Sequence, residues 1–259
     1  MRGNDQQAYD RGTSLFSPDG RIYQVEYARE AVSRGAPSVG IRTEDGVVLA
    51  AQSRAASSLM VPESIEKLHK LDTHVGTASA GHVADARQLI DFARRMSQMN
   101  RLRYGEPVGV ETLTKYVTDH IQENTQRGGT RPYGAALLVA GIDNGGTPRL
   151  FGADPSGTPN EWKATVIGGG SADIQALLEE EWHDELTVEE GVELAVKALR
   201  AANDELLPGE ISVATVTDDD GYVDLTAEEI EAAFDSLGIE TDPDEDDEAE
   251  DEEAEGEEE

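Results

Sequence analysis

The chain has 259 residues and a formal net charge of −33, from 21 basic and 54 acidic side chains. Residues 240–259 hold 15 acids and no Lys or Arg, which leaves −18 for the rest, so the body is acidic apart from its tail. Such a surface repels phosphate backbones and anionic lipids, which argues against nucleic acid and membranes as partners, and the absence of cysteine excludes disulfides, thiol catalysis and thiolate metal sites.

Residues 1–12 are polar and rich in Gly, Asn and Gln, and read as a flexible leader. Ser17-Pro18-Asp19-Gly20 is a turn signal, with Pro presetting φ and Gly closing the turn. A helix is predicted over Tyr23–Ser33, stopped by Arg34-Gly35. Ser38–Arg42 and Val47–Ser53 read as strands joined by Glu44-Asp45-Gly46, and His74–Ala80 as a further strand. Two long helices follow. Ala86, Leu89, Ile90, Ala93 and Met96 fall on one face of the first, and Val110, Leu113, Val117 and Ile121 on one face of the second.

Strand patterns return at Ala135–Ile142, Arg149–Ala153 and Lys163–Ile167, and a helix is predicted over Ser171–Trp182. The next helix opens with the capping box Thr187…Glu190 and carries the stripe Val188, Val192, Ala195, Leu199 and Ala202. Ile211–Thr217 and Tyr222–Leu225 form a hairpin around Asp218–Gly221. A last helix starts at the capping box Thr226…Glu229, buries Ile230, Ala233, Phe234 and Leu237, and stops at Gly238.

Hairpin-linked strands pair antiparallel. Helices grouped between grouped strands imply an α+β fold, two sheets face to face with helix layers outside, an αββα sandwich. The chain divides into a leader (1–12), a folded body (13–239) and an acidic tail (240–259) that is expected to be disordered. Only five residues are Lys, and the composition fits a protein soluble in concentrated salt, where charge is screened within a few ångströms. No apolar run approaches the ~18 residues that span a bilayer, and the polar start lacks a signal-peptide region, so a cytoplasmic location is expected. The five His show no metal spacing, and no cofactor is implied. Gly168-Gly169-Gly170 lacks the Lys-Ser/Thr ending of a phosphate loop and reads as a close-packed turn after a strand.

The beginning of the chain carries the most specific pattern: Tyr9-Asp10-Arg11, Phe16-Ser17-Pro18-Asp19-Gly20-Arg21 and Tyr23-Gln24-Val25-Glu26-Tyr27-Ala28. Three of the seven Tyr lie in this stretch, and from composition alone it is an exposed leader docking through Tyr onto the body. The series resembles the N-terminal signature of proteasome α subunits. The resemblance continues through Ser64-Ile65-Glu66-Lys67, Ala80-Gly81, Val83-Ala84-Asp85-Ala86-Arg87, Arg131-Pro132-Tyr133-Gly134 and Asp154-Pro155-Ser156-Gly157, covering about residues 8–238 in order. The archaeal type is the most similar, and the acidic composition resembles a haloarchaeal member.

The resemblance implies the αββα sandwich of N-terminal nucleophile hydrolases, with the first helix lying across the mouth of the two sheets. It implies a non-catalytic subunit that forms the outer heptameric rings of a threonine protease complex. Its partners would be other α subunits, β subunits, regulatory AAA ATPases that insert their C-terminal tails, and unfolded protein substrates. By the same resemblance Tyr9, Asp10, Arg11, Pro18 and Tyr27 belong to the gate. Lys67 matches the lysine that pairs with the carboxylate of an activator tail, and Gly81 a neighbouring pocket glycine. His82 stands where the family commonly has Leu.

Two other readings compete. An autonomous hydrolase would need an N-terminal Thr with an acid and a lysine at set spacings behind it. Counted from Thr13 those positions hold Arg29 and Asp45, and neither matches. An acidic scaffold or chaperone without a protease partner is the third reading.

Overall fold

Strand sequences that are apolar on both faces need cover on both faces, and this requirement organises the molecule. The computed structural model describes residue 16 and residues 20–53, 59–61, 64–127 and 129–239. The leader, Ser17-Pro18-Asp19 and the acidic tail lie outside the described residues. Helix α1 spans Tyr23–Ser33 and is followed by β1 (Ser38–Arg42), β2 (Gly46–Gln52), β3 (Leu68–Asp72) and β4 (Val75–Gly81). Then come α2 (Val83–Tyr104), α3 (Val110–Gln126), β5 (Ala135–Asp143), β6 (Thr147–Ala153), β7 (Pro159–Glu161) and β8 (Ala164–Ile167). The chain closes with α4 (Ser171–Glu181), α5 (Val188–Ala202), β9 (Ile211–Thr217), β10 (Gly221–Asp224) and α6 (Ala227–Ser236).

One sheet runs β10-β9-β2-β1-β8 and the other β3-β4-β5-β6-β7, each pair antiparallel. Alternation within single strands builds three apolar layers. In β2, Val47 and Leu49 point between the sheets, while Val48 and Ala50 point to α5. In β5, Leu138 and Ala140 face the other sheet, while Leu137 and Val139 meet the layer of α2 and α3. The result is the expected αββα sandwich. Each fully buried Leu or Ile in these layers contributes about 1.5–3 kcal/mol.

Two strands escape the sequence reading. Strand β3 (Leu-His-Lys-Leu-Asp) is an edge strand with only Leu71 buried, so its apolar alternation is faint. Strand β7 has three residues and begins with Pro159, a position that an edge strand tolerates. Both predicted capping boxes form: Thr187 accepts from the Glu190 N–H at 3.2 Å, and Thr226 from the Glu229 N–H at 3.3 Å.

At one end of the sandwich the sheets are tied by the Ser38 hydroxyl, which donates to the Ser79 carbonyl at 2.8 Å. Helix α1 lies over this end. It buries Val25, Ala28 and Val32, and Val32 packs with Ala80 of β4, Ala136 of β5 and Ile167 of β8, so it covers both sheets. The Gly168-Gly169 turn closes the same end, with the Gly169 N–H donating to the Gly35 carbonyl at 2.7 Å. A Cβ on Gly168, whose φ is +104°, would lie 2.7 Å from the Ala36 oxygen, so this turn is close-packed against backbone.

Candidate functional site

Lys67 immediately precedes β3, and its side chain crosses to the covered end of the other sheet. Its ammonium donates to the carbonyls of Ala36 at 2.7 Å, Pro37 at 2.9 Å and Gln52 at 3.1 Å. All three N–H groups of the ammonium are thereby in use. Burial draws the Lys67 amine down to about 7, while the three carbonyl oxygens around it favour the charged form. The cation is therefore fixed in place against the ends of β1 and β2.

Lys67 lines a groove of about 610 Å³ between the segment before β3 and the first half of α2. Its apolar wall includes Met60, Ile65, Val83 and Ile90, and Gly81 is part of its lining. Glycine is required at position 81. Its φ is +102°, and a Cβ there would lie 2.4 Å from the Gly134 oxygen and 3.2 Å from the Val32 Cα. A Cβ on Gly35 would in turn lie 2.6 Å from the Gly81 nitrogen. The last turn of α1 thus rests on the groove's own backbone with no side chain between them.

The motif residues near Gly81 converge on one carboxylate. Asp85 is buried in the first turn of α2. It accepts a bidentate pair from Arg131, at 2.5 and 2.8 Å, and the Gly134 N–H at 2.8 Å. Burial pushes the Asp85 carboxyl up, but these hydrogen bonds and the Arg131 charge outweigh it and hold the carboxyl below its usual range. His82 precedes α2. Its N–H donates to the Gly134 carbonyl at 2.8 Å, and its exposed ring lies 3.8 Å from Asp85. Tyr133 is buried and its hydroxyl meets His120 Nε2 at 3.1 Å.

A second junction anchors α1. Arg29 donates through Nε and Nη2 to Asp154 at 3.0 and 2.7 Å and through Nη1 to Glu26 at 2.8 Å. The other Asp154 oxygen accepts from the Ser156 hydroxyl at 2.5 Å and from the N–H groups of Ser156 and Thr158. Tyr27 stacks on Tyr23 with ring centres 6.4 Å apart and is 45% exposed on α1. Of the residues assigned to the gate, Tyr27 alone is described; Tyr9, Asp10, Arg11 and Pro18 lie outside the described residues. Lys67 and Gly81 line the one groove together. The pairing of Asp85 with Arg131, and of Arg29 with Asp154, joins motifs that the sequence displays separately. Arg87, quoted above only as part of a motif, and Arg94, which stands in no motif, line the same groove from α2. Their spacing on one side of a helix was the available signal.

Comparison with known proteins fits this arrangement. Residues 9–31 match the N-terminal signature of A-type proteasome subunits, and residues 32–216 match the proteasome subunit family. The chain is 60% identical over 248 residues to the proteasome alpha 1 subunit of Haloferax volcanii, covering 93% of this chain and 98% of that protein. It is 61% identical over 253 residues to the proteasome alpha subunit of Natronomonas pharaonis, covering 95% and 99%. It is 57% identical over 240 residues to the proteasome alpha subunit of Halobacterium salinarum, covering 92% and 94%. The signature falls on the leader and α1, the family match falls on the sandwich, and the chain belongs to the proteasome family as an α subunit of the core particle.

Proposed function

We propose that this chain is a non-catalytic subunit of the outer heptameric rings, which gates the admission of unfolded proteins to the β-ring chamber and receives regulatory ATPases. It works in the cytoplasm, with β subunits and further α subunits as its ring partners. Residues 1–12 are the gate segment, 13–239 the ring-forming domain and 240–259 a solvating tail. Tyr9, Asp10, Arg11, Pro18 and Tyr27 form the gate cluster, and Lys67 and Gly81 the tail-docking site.

The observation that carries this reading is the backbone contact of Gly81 with Val32 and Gly35. A tail entering the groove meets Gly81, and Gly81 carries the last turn of α1. Helix α1 begins ten residues after the gate segment. Displacement in the groove therefore reaches α1 through packed backbone, which transmits small shifts because it cannot absorb them, and α1 stands next in the chain to the segment assigned to the gate. Lys67, its three N–H groups held by carbonyls, supplies a fixed positive charge at the groove wall that attracts a terminal carboxylate through space.

The test replaces Lys67 by Met in core particles assembled with β subunits. ATPase-stimulated protein degradation is expected to fall about tenfold, the loss of one electrostatic attraction of about 1.4 kcal/mol. Imaging of the particles checks that rings still form. Full stimulation in particles with normal rings overturns the docking site.

A further inference from the structure

The groove departs from the rest of the surface in charge. The chain carries 54 acids against 21 bases, yet Lys67, Arg87 and Arg94 share this one groove with only Glu66 and Asp91 as acids among its described lining. Val83, Arg87, Ile90 and Arg94 follow one side of α2 at helical spacing. The two arginines stand about 10 Å apart along the helix axis, the reach of about three extended residues.

The three cations differ in what they have left to give. The Lys67 N–H groups are all bound to carbonyls. Arg94 donates Nε to the Lys70 carbonyl at 2.9 Å, has Nη1 4.0 Å from Asp91, and is part of the groove lining. Arg87 is exposed and has no ion pair among the described residues. An unpaired guanidinium beside an apolar wall fits a carboxylate on a chain that also carries an apolar anchor.

We propose that Arg87, supported by Arg94, forms a second anion-recognising subsite, so that the groove selects peptide tails with an acidic side chain upstream of their terminal carboxylate. The proposal rests on the reading of the groove as the tail-docking site. It assigns Lys67 to the terminal carboxylate and the α2 arginines to the side chain.

The test measures fluorescence anisotropy of labelled synthetic peptides on assembled core particles in molar KCl. The peptides end in apolar residues with a free carboxylate, and carry Asp or Asn three residues before it. The Asp peptide is expected to bind about twofold more tightly, the lower range for one exposed ion pair under strong screening. In Arg87→Gln particles that ratio collapses toward one. Arg94→Gln, checked by thermal melting because it also loses the Lys70 contact, lowers the ratio partway. Equal binding of the two peptides, or a ratio unchanged in both variants, overturns the second subsite. If the ratio is one while C-terminal amidation abolishes binding, the docking site stands without the subsite. If amidation changes nothing, the docking reading falls and the subsite with it.

Discussion

Asp85 sits on the buried side of α2, where a carboxylate without partners would be expelled. Arg131 and the Gly134 N–H supply those partners, and together they fix the loop that passes beneath Gly81. Because its folded pKa is depressed, the stabilisation is complete above about pH 4, the ordinary range of a carboxyl. It is lost as pH falls below that, through the folded value. Asp85→Asn is expected to lower stability by about 2 kcal/mol at neutral pH, and to flatten the acid limb of a melting-temperature profile. An acid limb that is unchanged in the variant contradicts the assignment. Gly81→Ala forces a Cβ against the Gly134 oxygen at a positive φ. We expect a loss of about 2–3 kcal/mol in thermal or denaturant unfolding. Lys67 and Gly81 stand out in the sequence because single residue types occur there at family spacing. The partners of Asp85 do not, because Arg131 lies 46 positions away and only the folded β4–α2 corner brings the two together. Arg29 and Asp154, 125 positions apart, make the same point.

At the scale of elements, the sequence displays what local chemistry decides. The boxes at Thr187 and Thr226 set two helix starts, since hydroxyl and carboxylate satisfy backbone N–H groups within one turn. Strands β2 and β5 are readable because both faces are apolar. Strands β3 and β7 are not, because an edge strand is held by its neighbour's backbone and needs few apolar side chains of its own. Helix α1 is the element in which fold and function meet. Its apolar residues on the buried side are only Val25, Ala28 and Val32, and they seal the end of both sheets. Its Arg29 reaches outward to Asp154. The helix is held by a narrow apolar stripe, by the Arg29–Asp154 pair and by close backbone approach at Gly35 and Gly81.

On the scale of the whole molecule, the charge of −33 acquires structure. Acids cover the surface, while the cations are placed: Arg29 on Asp154, Arg131 on Asp85, Arg149 among Glu111, Asp143 and Glu161, and Lys67 on three carbonyls. Arg87 is left toward the groove. This distribution suits a protein that stays dispersed in salt yet gathers Lys67, Arg87 and Arg94 in one groove. The central claim, that the leader restricts admission to a chamber whose chemistry belongs to other subunits, is tested most directly by deleting residues 1–12. Core particles assembled with the shortened chain should hydrolyse a small peptide several-fold faster than those with the full chain, and the purified chain alone should hydrolyse none. Equal or slower hydrolysis by the shortened particles, or turnover by the chain alone, would contradict the account.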